Sequence, residues 1–288
     1  MFIRRNINYG APINRMSPLN KGLVGWWKVL PRRYGGLTWF NLAGFNHATL
    51  TSMGTSSATS GWNATTHPGG YGELRFDGTN DWANLGNSHF CRNVGAFTFT
   101  CWVKFAAVGT IQDLVRFSIN NGGAASTTAR FGFHNIAANT LELFGRAPDS
   151  QGLQTISLTG FTTATGIWYH FTAAIDYAND AGDVYLNGVA LGKSGTFAFT
   201  NTATDDNLSA STAFGAISDG SGNRVNGFMD DIRLIQRIPD ATEAMAIYRA
   251  ALTGYKDQLN WIRYPVFGSA AVAFGLDEDG VWYVPTYT

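Results

Sequence analysis

Residues 227–252, GFMDDIRLIQRIPDATEAMAIYRAAL, carry two different hydrophobic periods on either side of one proline. Phe228, Asp230, Ile232 and Leu234 alternate with Met229, Asp231, Arg233 and Ile235, which is the period of a strand. Beyond Pro239, Asp240 can cap a helix, and Glu243 three residues later completes the capping-box pattern. Ala244, Ile247, Tyr248, Ala251 and Leu252 then recur at helical spacing. Neighbours on a strand point to opposite faces, so one of Asp230 and Asp231 is expected on the core side. A carboxylate there needs an arginine or a metal ion beside it.

Most of the remaining chain reads as short strands between turns. Glycine is abundant at 34 residues and charged residues are sparse at 14%, a profile that suits many strands and excludes a helical bundle. The clearest strand is Ala96–Phe105, where Phe97, Phe99, Cys101, Val103 and Phe105 share one face and Thr98, Thr100, Trp102 and Lys104 the other. Gly22–Leu30, with two tryptophans, Ile167–Tyr177 and Ala213–Ile217 are expected strands, as are 112–119, 129–136, 140–146 and 153–158. Asn187-Gly188 between Val184, Leu186 and Val189 marks a hairpin with a type I′ turn. Residues 52–70 are rich in Ser, Thr and Gly and read as a long surface loop. Cys101 lies within a strong strand and is expected as a buried thiol rather than half of a bridge to Cys91.

Charge is uneven although the net is zero. Seven Lys and Arg precede Glu73 with no acid among them, among them Arg4, Arg5 and Arg15. These define a basic arm over residues 1–20, too sparse in charge for nucleic acid. The segment 254–288 is aromatic, with an acidic turn at Asp277, Glu278 and Asp279. Both arms are candidate docking elements flanking a body at 21–253. The first residues have no apolar stretch of signal-peptide length, and no segment is long and apolar enough to insert in a membrane.

In order, FDGTNDWANL, FTFTCWVKF, IWYHFTAAIDYANDAGDVYLNGVAL and GFMDDIRLIQRIPDATEAMAIY resemble the laminin-G-like, concanavalin A-like jelly-roll family over about residues 22–252. The resemblance implies an all-β fold: a concanavalin A-like jelly-roll sandwich of two antiparallel sheets, a short helix near 240–252 and extended terminal arms. It also implies a calcium site between the FDG turn and the DD strand, at Asp77, Asn80 and Asp81 on one side and Asp230 or Asp231 on the other. The alternative use of these residues is structural: Asp77 caps its turn, and Asp230 or Asp231 pairs with Arg75 or Arg233. The opening GLVGWW and the tail YKDQLNWIRYPVFG are similar to standalone jelly-roll proteins of bacteriophages and environmental bacteria.

Catalytic motifs are scarce. The four glutamates, Glu73, Glu142, Glu243 and Glu278, form no E-x-D-x-x-E run, and the five histidines, His47, His67, His89, His134 and His170, have no metal-ligand spacing. Trp62, Tyr71 and Trp82, placed in loops, are candidates for stacking on sugar rings. The functional expectation is a non-catalytic structural or adhesion protein at a virion surface, a homo-oligomer docking on capsid proteins through its arms and displaying the jelly roll to cell-surface glycans. The alternative is a calcium-dependent extracellular carbohydrate-binding module of a bacterium, and a third reading is a glycoside hydrolase.

Overall fold

The computed structural model describes residues 13, 17–29, 36–53, 59–63, 67–70, 72–118, 128–206 and 211–253, together with the backbone pairing of 275–276 with 282–283. Along the chain the strands are β1 (Leu23–Trp27), β2 (Thr38–Trp39), β3 (Ala48–Thr51), β4 (Gly61–Asn63), β5 (Glu73–Asp77), β6 (Trp82–Asn84) and β7 (Ala96–Phe105). They continue as β8 (Gln112–Ser118), β9 (Ala129–Asn135), β10 (Leu141–Gly145), β11 (Gln154–Thr159), β12 (Trp168–Asp176) and β13 (Ala181–Leu186). The last are β14 (Val189–Ala190), β15 (Gly192–Ser194), β16 (Ser211–Phe214) and β17 (Asn226–Ile235), followed by helix α1 (Ala241–Leu252).

Two antiparallel sheets result. One has eight strands, ordered β14-β13-β12-β7-β17-β5-β4, with β1 also on β17; the other has nine, ordered β15-β11-β10-β9-β8-β16-β6-β3-β2. The alternating faces meet between them. Phe97 and Phe99 of β7 lie among Phe117, Phe131 and Phe214 of the opposite sheet, with Phe97 packed edge-on to Phe117 and Phe131, each at 5.1 Å between ring centres. Trp27 enters the same core and stands edge-on to Phe214 at 5.0 Å. A smaller cluster, Leu23, Trp26, Trp102, Ile235, Ile247 and Ala251, forms where α1 covers the outer face of the eight-stranded sheet.

Several local expectations hold and some do not. Asn187 and Gly188 have φ of 50° and 80°, as a type I′ turn requires. Cys91 and Cys101 are free and buried, and burial pushes both thiols well above their usual range. Asp240 caps α1 by accepting the Glu243 N–H at 2.8 Å, but the Glu243 carboxylate is taken by Arg237 instead of turning back to close the capping box. The expected loop at 52–70 contains strand β4, whose Trp62 stands opposite Leu74 of β5. The polar composition of that stretch concealed two apolar side chains that the core claims, Met53 and Trp62.

β17 is the strand on which the first sheet turns. Its first half, Asn226–Met229, pairs with β5, and its second half, Ile232–Ile235, pairs with β1, both along the same edge. On its other edge β7 runs the whole length, with a register shift between Asp230 and Arg233. The bulge falls where one partner gives way to the other. Asp231 sits there with φ of 53°, a left-handed conformation uncommon outside glycine.

Candidate functional site

The bulge overturns strict alternation at the two adjacent acids. Asp230 and Asp231 both have fully buried side chains and both approach Lys28 Nζ, at 3.9 and 3.4 Å. All four carboxylate oxygens have partners. Asp230 Oδ1 accepts from Val29 N–H at 2.6 Å, and Oδ2 lies 2.7 Å from His67 Nε2. Asp231 Oδ1 accepts from Trp26 Nε1–H at 2.6 Å, and Oδ2 from Lys28. The expected partners Arg75 and Arg233 are occupied elsewhere: Arg75 donates to Phe76 O, Gly227 O and Asn226 Oδ1, and Arg233 to Leu19 O and Asn20 Oδ1.

The FDG turn is a separate unit. Asp77 Oδ1 accepts from the N–H groups of Thr79, Asn80 and Asp81 at 2.7, 3.0 and 3.2 Å. Burial opposes ionisation of Asp77, but these three donors outweigh it and hold its carboxyl below the usual range. Asp81 is buried, accepts from Asp77 N–H, and has its carboxyl raised chiefly by burial. Asp77 pairs with Asn226, four residues from Asp230, which is about 13 Å along a strand at ~3.3 Å per residue. A calcium ion shared between the turn and the DD strand does not fit this arrangement, because the two halves lie apart and the Asp230 and Asp231 oxygens are filled. Among the described residues no group of three or more His, Cys, Asp or Glu is arranged to hold a metal ion.

Two of the three candidate sugar-stacking residues lie among the described residues. Trp62 is buried at 5% exposure, and its indole N–H donates to Gly36 O at 2.9 Å, so it is a core residue. Trp82 is half-buried and lies so close to Gly220 that a Cβ there would stand 2.4 Å from the indole. Tyr71 lies outside the described residues, as do the docking candidates Arg4, Arg5, Arg15, Asp277, Glu278 and Asp279.

Two groupings emerge that sequence reading missed. The first is a row across the outer face of the eight-stranded sheet: Trp168 on β12, Lys104 on β7, Phe228 on β17 and Arg75 on β5, paired strand to strand. Lys104 Nζ stands 4.8 Å from the Trp168 ring centre and 4.2 Å from that of Phe228, and the Arg75 guanidinium 4.7 Å from Phe228. Trp168, Lys104 and Phe228 are half-exposed. Lys104 and Trp102 alternate with core residues on β7, so the outward face was legible; which strands continue it was not.

The second is a polar chain on the nine-stranded sheet. His134 Nδ1 meets Asp113 Oδ1 at 3.0 Å and Nε2 meets Glu142 Oε2 at 3.1 Å, while Ser157 Oγ–H donates to Glu142 Oε1 at 3.1 Å. Arg116 Nε lies 2.7 Å from Asp113 Oδ2, with its guanidinium over the Phe144 ring. Burial opposes charge on His134, but the hydrogen bonds it donates to Asp113 and Glu142 prevail and raise its pKa above 6.5. The hydrogen bond from His134 in turn lowers Glu142 below its usual value of 4.5. A raised histidine stabilises the fold fully below its unfolded pKa and loses that contribution as pH rises through its folded pKa. A lowered glutamate does so above its unfolded pKa and loses it as pH falls through the folded one. His170, which burial pushes down to about 3, and His47, also lowered by burial, act in the opposite sense on the whole protein, so the His134 contribution is read by difference: His134→Gln is expected to lower the urea midpoint more at about pH 5.5 than at about pH 8.5. An equal loss at the two pH values would contradict the charged, bridging imidazole.

Two antiparallel sheets packed face to face around one core make the fold a jelly-roll sandwich. A family model described as the concanavalin A-like lectin/glucanases superfamily, Laminin_G_3, matches residues 77–244. That is more than half of the chain, which belongs to this superfamily. No curated protein matches it. Among solved structures, Trypanosoma rangeli sialidase in complex with sialic acid is similar at 16% identity and a TM-score of 0.56, over 80% of this chain and 33% of that one. The same enzyme with the inhibitor DANA gives 16% and 0.54, over 78% and 32%. A mutant of it displaying trans-sialidase activity gives 14% and 0.52, over 86% and 37%. The chain thus spans about a third of the length of these sialidase structures, and at these identities the likeness is one of fold. The expected role as a non-catalytic virion structural or adhesion protein is corrected here: the structures just named, which share the fold, are of a sialidase, and the charged residues on which docking was argued lie outside the described residues. Among those residues no helix is long and apolar enough to cross a membrane.

Proposed function

We propose that the chain is a glycan-binding, non-catalytic module of the concanavalin A-like type, with its sugar-contacting surface on the outer face of the eight-stranded sheet. The observation that carries this reading is the half-exposed row Trp168–Lys104–Phe228, in which an ammonium is held between two rings. A saccharide presents C–H groups on its faces, which pack against an aromatic ring, and hydroxyl or carboxylate oxygens at its rim, which accept from a cation beside that ring. The sialic acid named with the matched sialidase is a sugar of this kind, since its carboxylate would meet Lys104.

Hydrolysis is not part of the proposal. Most glycosidases set two carboxyl groups across the scissile bond, with space for it between them, whereas sialidases use a tyrosine nucleophile instead. Asp113 and Glu142 face the same side, but the His134 ring fills the space between them. Calcium is not part of it either, because the acids of the DD strand already have partners.

The test is a glycan array with the full chain, followed by titration of any sugar bound. Trp168→Ala and Lys104→Ala are each expected to weaken binding about tenfold or more, which is ~1.4 kcal/mol, and binding is expected to persist in EDTA. Binding of no glycan, or binding that both variants leave intact, would remove the proposal.

A further inference from the structure

Under the segment 67–70 and helix α1 lies a primary amine enclosed with two carboxyl groups. Trp27 pairs with Ile232, which brings Lys28 opposite Asp231 on the neighbouring strand. Lys28 Nζ is 3.4 Å from Asp231 Oδ2, with side-chain exposures of 3% and 0%. Gly69 O, 3.3 Å from the same nitrogen, closes the site from above. The surroundings are aromatic: His67 packs on Trp102 and Trp168 at 5.7 and 5.2 Å. Two buried ions in such a place keep a large desolvation cost, which condensation of the pair would abolish.

We propose that Lys28 and Asp231 are joined by an isopeptide bond formed by the folded protein itself, with Asp230 and His67 carrying the proton. Three features support this beyond proximity. Trp26 Nε1–H points at Asp231 Oδ1, where negative charge gathers when an amine adds to the carboxyl carbon. Asp230 Oδ2 stands 3.9 Å from the same amine. His67 Nδ1 faces Pro68 O at 2.8 Å, an atom that only accepts, so this nitrogen bears a hydrogen. The 2.7 Å contact between His67 Nε2 and Asp230 Oδ2 then needs a proton of its own, and that proton is the one available for transfer.

In the reaction, the ammonium passes one proton to Asp231 Oδ2, leaving a free amine and a carboxylic acid. The Nζ lone pair forms a bond to Asp231 Cγ, and Oδ1 takes up the charge under the Trp26 N–H. Asp230 removes a second proton from nitrogen, and the Asp230–His67 pair returns one to Oδ2. The Cγ–Oδ2 bond breaks, one water departs, and the Lys28–Asp231 amide remains. No oxidant or other reactant is required. The bond would tie β1 to β17 at the bulge, across the seam of the first sheet. It does not depend on the glycan reading.

Intact-mass spectrometry of the purified full chain, allowing for the initiator Met, tests the proposal directly. The expected mass is that of the sequence less one water, and a protease digest should yield a joined peptide pair holding Lys28 and Asp231. A mass equal to the full sequence overturns the proposal. Lys28→Arg keeps the charge but cannot form this bond and should restore the full mass; a deficit that persists there marks a cyclic imide and overturns it as well. Asp230→Asn, checked for native near-UV circular dichroism, should also show the full mass. Cross-linking at wild-type extent in that variant overturns the assignment of Asp230.

Discussion

Asp230→Ala is expected to destabilise the protein by about 3–5 kcal/mol, the scale for removing one partner from a buried ionic network. The side chain is fully buried and serves three groups: the Val29 N–H, the His67 ring and Lys28 Nζ. Alanine leaves the first two without this acceptor and removes one of the two carboxyl groups beside Lys28. A natural domain has only about 5–15 kcal/mol to lose, so the variant should unfold at much lower urea. Asp230→Asn, which keeps an acceptor for Val29, should fall between. An Asp230→Ala midpoint within experimental error of wild type would show that the network does not act as a unit.

Trp27→Ala should produce a loss of similar size, about 3–5 kcal/mol, by creating a cavity in the main core. The ring is fully buried, stands edge-on to Phe90 and Phe214 at 5.7 and 5.0 Å, and fills the space beside Gly25, where a Cβ would come within 2.4 Å of it. Trp26, its neighbour, faces the opposite side of the sheet and donates to Asp231. Trp26→Phe keeps most of the volume and leaves Asp231 Oδ1 without its donor, a change of about 1–3 kcal/mol. The two adjacent tryptophans therefore predict an ordered pair of urea midpoints, with Trp27→Ala the lower. The reverse order would mean that the outer cluster, rather than the inter-sheet core, dominates stability.

How the candidate sites were and were not legible follows from distance along the chain. The alternation in Ala96–Phe105 gave the face of β7 that carries Trp102 and Lys104, because side-chain direction on a strand has a period of two. The row that Lys104 joins also needs Trp168, Phe228 and Arg75, and these come together only through the strand order β12-β7-β17-β5. His134 looked solitary because its partners Asp113 and Glu142 sit on β8 and β10 and meet it by register. Trp62 was misplaced for the opposite reason: a polar neighbourhood in sequence said loop, while pairing with β5 placed the ring inside.

Local chemistry by itself determined the strand-rich body, the Asn187-Gly188 turn, the Asp240 cap, the helix that follows it and the buried thiols. Each depends on residues within a few positions of one another, so the chain states them without knowing its fold. The tertiary structure alone decided the orientation of Asp230 and Asp231. Strict alternation would have sent them apart, but β17 changes partner between them and takes up a bulge, with Asp231 in a left-handed conformation. That one extra residue turns two carboxylates toward a lysine some two hundred positions away, and no local rule could have placed it.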